Sequence, residues 1–295
     1  MSECTNFADQ ERLARQLEDH ENFRVLRAVP RPCFSMPAGP PPDGKCVVFV
    51  DVETTGLDVE QHQMIELAVL PVWVGDEGEV LGHYKPLSWL EDPGVPLEPT
   101  IQQLTGLTDA DLAGKSIDDN LAFALLDRAD VIVAHNAAFD AQWIERRYPK
   151  IAGKAWACSA SEIDWLSVGF DGRAQQHLLL QHGWFANAHR AGDDVWSLFH
   201  LLRQSRPDAE TGEQRTHLSR LLWASQLPTE LVEAVNAPFD MKDRLKARGY
   251  RWNARKRVWC KELSPVSIRS ESAWFASEGL PSFRTRYVTA CERHR

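Results

Sequence analysis

The stretch CVVFVDVETTGLD, Cys46 to Asp58, decides the reading of this 295-residue chain. Val47, Val48, Phe49, Val50 and Val52 are β-branched or aromatic, which predicts a strand belonging in a core. Asp51 and Glu53 sit in that strand two residues apart, and side chains two apart point to one face. The pattern presses two like charges together at the edge of an apolar core. An unpaired buried carboxylate is strongly unfavourable, so something must neutralise them. Thr54-Thr55-Gly56 then reads as the turn that ends the strand.

Two further segments combine an acid with an apolar face. In HNAAFDAQWIERR (135–147), Asn136 is placed to cap a helix. Asp140 shares a face of that helix with Trp143, Ile144 and Arg147. In AHRAGDDVWSLFHLL (188–202), Asp194 shares a face with Leu198 and Leu201, whereas Asp193 shares one with Ser197 and His200. Asp140 and Asp194 are therefore expected to point inward, with His189 in the loop ahead of the second helix. Each feature alone reads as a strand-end ion pair, a cap or a solvent-facing histidine. Taken as a set, they bring four carboxylates to one end of a sheet. These cannot all stay charged without cations, and an oxygen-rich group suits Mg²⁺ or Mn²⁺.

The rest of the chain fits a globular protein. Hydrophobic residues make up 43% and charged residues 25%, which is ordinary for such a chain. No apolar run approaches the roughly 18 residues a membrane span needs, and the polar N-terminus has no signal-peptide core. Six scattered cysteines show no zinc spacing and read as reduced thiols, so a cytoplasmic location is expected. The net charge of −9 argues against a protein that coats nucleic acid, but the charge is uneven. Residues 228–295 hold 14 Lys+Arg and 8 Asp+Glu, a net +6; residues 1–227 hold the remaining 19 and 34, a net −15.

Periodicity predicts a helix over 8–29, an extended Pro/Gly-rich segment over 30–44, and a hairpin of 63–74 with 79–87. It also predicts helix over 108–129, strand over 130–136, and helices over 137–148, 159–170, 174–184 and 192–205. Residues 206–214 read as a second linker, followed by a helix at 215–226. Beyond it, the order strand, helix, strand, strand, helix, strand matches a split βαβ unit. The fold class is thus α/β with a mixed sheet, followed by a small α+β domain.

FVDVETTGL, VIVAHNAAFD and HRAGDD resemble the three exonuclease motifs of the DnaQ-like DEDD superfamily, in its histidine subgroup. IQQLTGLTDADLAG (101–114) is similar to the family's segment between the first two motifs. The resemblance covers about residues 44–205. It implies a ribonuclease-H-like exonuclease domain over 45–205, flanked by an N-terminal helical segment (1–29), a linker (30–44), a linker and helix (206–227) and a basic C-terminal domain (228–295). It implies that Asp51, Glu53, Asp140 and Asp194 hold two divalent ions, Mg²⁺ or Mn²⁺, and that His189 is the general base. It further places the backbone at Thr54 and Thr55 near the substrate's 3′-hydroxyl, Leu57 beside the terminal base, and Asn136 as a substrate contact. Where many relatives carry a His before Gly, this chain has Thr105, which puts that terminal-base contact in doubt.

The implied activity is 3′→5′ exonucleolytic hydrolysis of DNA from a free 3′ end, releasing nucleoside 5′-monophosphates. The alternatives are the same chemistry on RNA or short oligonucleotides, or a polymerase- or repair-associated binding subunit. In the tail, FDMKDRLKARGYRWNARKRVWCKEL (239–263) interleaves basic residues with Tyr250, Trp252 and Trp259, as nucleic-acid grips do, although a small core also needs such rings. The segment resembles a C-terminal extension of some bacterial DnaQ-like exonucleases. QLPTEL (226–231) faintly resembles a sliding-clamp-binding peptide, which suggests a replication or repair protein as a further partner.

Overall fold

The computed structural model describes residues 7–208, 211–254 and 256–294. Helix α1 (Phe7–Glu18) and a two-residue strand β1 (Arg27–Ala28) lead into a six-stranded sheet. Its strands are β2 (Lys45–Thr54), β3 (Met64–Val74), β4 (Val80–His83), β5 (Leu87–Leu90), β6 (Val131–Ala134) and β7 (Ala155–Cys158). The order is β4-β3-β2-β6-β7, with β5 also paired to β3. The β2, β6 and β7 strands run parallel, and β3 is antiparallel to β2.

Helices cover both faces, and for that reason β2 and β3 are apolar almost throughout. Helices α2 (Pro99–Thr105), α3 (Asp109–Leu112), α4 (Asp119–Asp127) and α5 (Ala137–Arg147) precede α6 (Gln175–Gln181), α7 (Ala191–Arg203) and α8 (His217–Gln226). Val48, Val50 and Val52 of β2 join the cluster that includes Leu126, Ala141 and Ile144 of α4 and α5. Val47 and Phe49 join the cluster that includes Val195, Leu198 and Phe199 of α7. The odd-numbered positions of β2 therefore face α7, so Asp51 and Glu53 at the strand's end share the α7 side.

Several expectations are corrected. The helix expected over 8–29 stops at Glu18. Arg27 binds Glu11 and Glu18 of α1, and its own N–H donates to the Gly183 carbonyl, so the chain turns back onto β8 (Trp184–Phe185). The linker expected over 30–44 has no helix or strand beyond a single bridge, but it lies on the body: Ser35 bridges His83, and the Pro30 carbonyl accepts from the Trp196 indole. The helix expected over 108–129 is two helices, because Thr108 and Asp118 each cap one and Gly114, at φ 66°, breaks the run between them. Residues 159–170 are turns in place of a helix; Ile163, Trp165 and Phe170 anchor them in the core. Strand β7, absent from the reading of the sequence, forms the sheet edge. The second linker contains a small hairpin, β9 (Ser205–Pro207) with β10 (Gln214–Thr216).

The C-terminal α+β region has its own sheet and core. Strands β11 (Thr229–Ala234), β12 (Arg251–Asn253), β13 (Val258–Leu263) and β14 (Arg284–Val288) lie in the order β12-β13-β11-β14, each antiparallel to its neighbour. With α9 (Lys242–Ala247) and α10 (Ile268–Ser277), this is the expected split βαβ arrangement. Val232, Ala234, Leu245, Tyr250 and Phe275 make its core. Glu230 and Leu231 are paired on both edges, by β13 and β14, and Thr229 by β14, so the second half of the clamp-like peptide is locked inside a sheet.

Candidate active site

The parallel strands β2 and β6 end on one side of the sheet, and the three motif segments meet there. Carboxylate oxygens of Asp51, Glu53 and Asp194 lie within 4.8 Å of one another, each residue half-buried. Asp194 comes from the first turn of α7, on the face that the odd positions of β2 confront. Asp193, its neighbour, is exposed. Asp140 arrives from the opposite layer on α5 and is 2% exposed. Its Oδ1 accepts the Val52 N–H at 3.1 Å, which ties it to the strand between the two β2 acids.

Electrostatics shows the strain of this grouping. Burial, then the charges of Asp140, Asp194, Glu53 and Glu66, holds Asp51 well above the usual carboxylate range. Burial likewise raises Asp140, against the Val52 N–H bond. Burial, then the charges of Asp194 and Glu66, pushes Glu53 up to about 7, and burial pushes Asp194 up to about 6 despite two backbone N–H bonds. Proton-retaining oxygens crowded at a half-open cleft fit hard divalent cations, which would relieve both the burial penalty and the mutual repulsion.

His189 stands in the loop ahead of α7, exposed and in the left-handed region at φ 66°. The backbone fixes this posture: the His189 and Arg190 N–H groups donate to Asp194 Oδ2 at 2.6 and 3.1 Å. Asp194 therefore both faces the cleft and caps its own helix, which leaves the His189 ring in solvent at the cleft's edge.

The remaining sequence candidates divide. Leu57 protrudes, 81% exposed, from the turn after β2. Thr54 is buried with its hydroxyl on the Gly56 carbonyl. The Thr55 N–H donates to the Gln63 carbonyl, so that amide serves the turn. Asn136 occupies the N-cap position at φ 72° but makes no side-chain cap bond, which corrects the capping expectation and leaves its amide exposed beside the cleft. Thr105 is buried, bonding the Ile101 carbonyl and the Leu107 N–H, so its hydroxyl is satisfied within α2 and its exit.

Sequence reasoning missed Glu66. It sits directly opposite Glu53 in the β2–β3 register and is 1% exposed. Ser88 donates to its Oε1 at 2.6 Å, Arg190 Nε to its Oε2 at 3.1 Å, and the Ala191 N–H to Oε2 at 3.3 Å. The signal was present: Glu66 is the lone charge in MIELAVLPVWV, an eleven-residue strand that is otherwise apolar and wholly buried.

A family model described as an exonuclease, RNase_T, matches residues 48–201, half of the chain and all three motif segments. The chain belongs to this DnaQ-like exonuclease family. Among curated relatives, PolC-type DNA polymerase III of Halalkalibacterium halodurans is 38% identical over 112 residues, 37% of this chain and 7% of that protein. The same enzyme of Bacillus subtilis is 38% identical over 107 residues, 36% of this chain and 7% of that protein. The match thus spans about 7% of the length of these relatives. E. coli Exonuclease I, solved with a 5cy-dT13 oligonucleotide, aligns with a TM-score of 0.50 at 13% identity, covering 81% of this chain and 69% of that one. That likeness concerns the fold, which has the mixed-sheet layers of ribonuclease-H-like exonucleases.

Proposed function

We propose that this exonuclease is metal-dependent and acts 3′→5′ on DNA, releasing nucleoside 5′-monophosphates. The observation that carries the proposal is the half-buried cluster of Asp51, Glu53 and Asp194, with Asp140 fastened behind it and His189 at its rim. Asp51, Glu53, Asp140 and Asp194 would hold two Mg²⁺ or Mn²⁺ ions. When bound, such ions would supply positive charge that activates the attacking water and stabilises the leaving oxygen.

The chain's own residues supply the rest. The His189 ring, at the rim of the cleft, takes the proton from the attacking water at a ring nitrogen, as a general base. The phosphorus–O3′ bond to the preceding nucleotide breaks, leaving a strand with a new 3′-hydroxyl and a free nucleoside 5′-monophosphate. Leu57 packs by the terminal base, Asn136 binds the sugar-phosphate with its unused amide, and the turn at Thr54–Thr55 borders the 3′-hydroxyl. The DNA substrate is favoured by the relatives: two are named DNA polymerases, and Exonuclease I was solved with an oligonucleotide. Those polymerase names also support a replication or repair protein as a partner, and the free thiols of Cys33, Cys46, Cys158 and Cys260 fit a cytoplasmic setting.

The C-terminal region would hold the strand away from the acidic cleft. Helices α9 and α10 cover the face bearing Val232 and Ala234. By register the other face carries Arg251, Arg284 and Arg286, all exposed. The experiment is degradation of 5′-labelled single strands with Mg²⁺. A ladder shortening from the 3′ end, 5′-monophosphate products and a block by a 3′-terminal phosphate are expected. Shortening from the 5′ end, or equal activity in chelator, would overturn the reading. Matched RNA strands in the same assay decide the sugar preference, since the 2′ position is read by pocket shape.

A further inference from the structure

Arg293, near the end of the chain, is 3% exposed and lies between the C-terminal sheet and the exonuclease body. Its Nε donates to Glu262 of β13 at 2.6 Å, and its Nη2 to the Leu227 carbonyl at 2.9 Å. Its Nη1 donates across to Glu162 of the body at 2.9 Å. Glu162 in turn accepts His294 Nε2 at 2.7 Å and the Cys158 N–H at 2.8 Å. Two residues before Cys158, the Trp156 N–H donates to the Ala290 carbonyl at 3.0 Å. Residues 289–294 therefore lie against β7, the last strand of the main sheet, and hold the start of the loop that follows it.

That loop leads to the cleft. Strand β7 runs parallel to β2 and β6 and ends on the same side. Ser159, the residue after Cys158, bonds His135 Nδ1 at 2.8 Å, and His135 precedes the exposed Asn136. The Arg173 backbone meets the same imidazole. Two residues on, Gln175 donates to the Asp194 carbonyl at 2.9 Å. An open hollow lined by Ser161, Asp164, Leu166 and Arg173 lies within this loop.

A buried ion pair is a poor device for stability alone, because desolvation offsets its attraction; an apolar contact would fasten the two parts as well. What a guanidinium adds is direction, since each N–H fixes where its acceptor sits. We infer that residues 289–294 are a strap that positions the β7–α6 loop, and through Ser159 the His135–Asn136 turn, for catalysis. The C-terminal region would then complete the nuclease cleft in addition to any grip on the strand. Arg293 and Glu162 are positioning residues, acting through the loop. The inference rests on the exonuclease reading above.

The test uses the full chain with Arg293→Met, Glu162→Gln and the double variant. The substrate is a deoxydinucleotide, which offers the C-terminal region no strand to grip beyond the cleft. With a cooperative melt retained, kcat on the dinucleotide should fall about ten- to a hundredfold with KM nearly unchanged, the scale of a remote misplacement. The double variant should be no worse than the poorer single one. Amide hydrogen exchange over 158–166 should quicken in the folded variants. If Arg293→Met fails to fold, Glu162→Gln decides, because glutamine keeps an oxygen for the Cys158 N–H. Wild-type turnover of the dinucleotide, a loss confined to long strands, or unchanged protection of the loop would overturn the strap. If the wild-type chain cleaves no 3′-ended substrate, the nuclease reading fails, and loop protection alone then decides whether the strap holds.

Discussion

Glu66 and Arg190 form an ion pair across the acidic cleft, Nε to Oε2 at 3.1 Å, with the carboxylate 2% and the guanidinium 44% exposed. The pair joins β3, beside Glu53, to the residue that precedes α7, beside His189 and Asp194. One of the cleft's acids is thus neutralised by the protein itself, and the same contact sets the loop that carries His189.

Glu66→Gln should keep the Ser88 contact and lose the ion pair. Its kcat on a single-stranded oligonucleotide should fall about ten- to a hundredfold, with KM changed far less. Arg190→Met should act similarly and cost about 1–3 kcal/mol of stability, discounted because solvent screens the exposed guanidinium. Steady-state kinetics of the double variant checks the coupling: additive losses would show that the two residues act separately.

Asp51 and Asp194 should separate activity from stability. Asp51→Asn and Asp194→Asn should each nearly abolish cleavage, and Asp193→Ala should be mild. In chelator, Asp51→Asn should melt higher than wild type, since it removes a buried charge with like neighbours. Asp194→Asn should not gain in this way, because its carboxylate caps α7 through the His189 and Arg190 N–H groups. Paired melting curves and rates decide this. A dead Asp193→Ala beside an active Asp194→Asn would reverse the facing argument.

The raised acids predict a pH-dependent response to metal. Glu53 at about 7 and Asp194 at about 6 lie above their unfolded values near 4. Both states hold these protons below pH 4, so no stability is lost there. As pH rises through 4–7 the unfolded chain ionises first, and metal-free stability should fall until the folded acids have also ionised. Mg²⁺ or Mn²⁺ should therefore raise the melting temperature markedly at pH 7.5 and little at pH 4.5. Equal shifts at both pH values would contradict a site built on these carboxylates.

For the tail, Lys256 is a poor probe because it pairs with Glu233 at 2.9 Å, and Arg255 lies outside the described residues. Charge reversal at Arg251 and Arg284, exposed on the helix-free face of the C-terminal sheet, is cleaner. It should weaken binding of long single strands at low salt and flatten the salt dependence, since phosphate contacts release counterions. Dinucleotide turnover should stay at the wild-type level. Binding titrations at several salt concentrations test this, and an unchanged salt slope would remove that face from the strand's path.

The sequence by itself determined what is periodic along a short stretch. Alternation in the strand put Asp51 and Glu53 on one face, and helical spacing turned Asp140 and Asp194 inward while leaving Asp193 out. These are properties of residues within one or two turns, and the fold class and the C-terminal strand–helix order followed from the same local patterns. Tertiary structure decided what lies across a gap. Arg190 meets Glu66 from 124 residues away, and Arg293 meets Glu162 from 131. Asn136 was assigned a cap by its position, yet the turn holds it left-handed and leaves the amide free. Local spacing says which way a side chain points, whereas its partner is chosen by which layers stack on the sheet, and that choice belongs to the whole core.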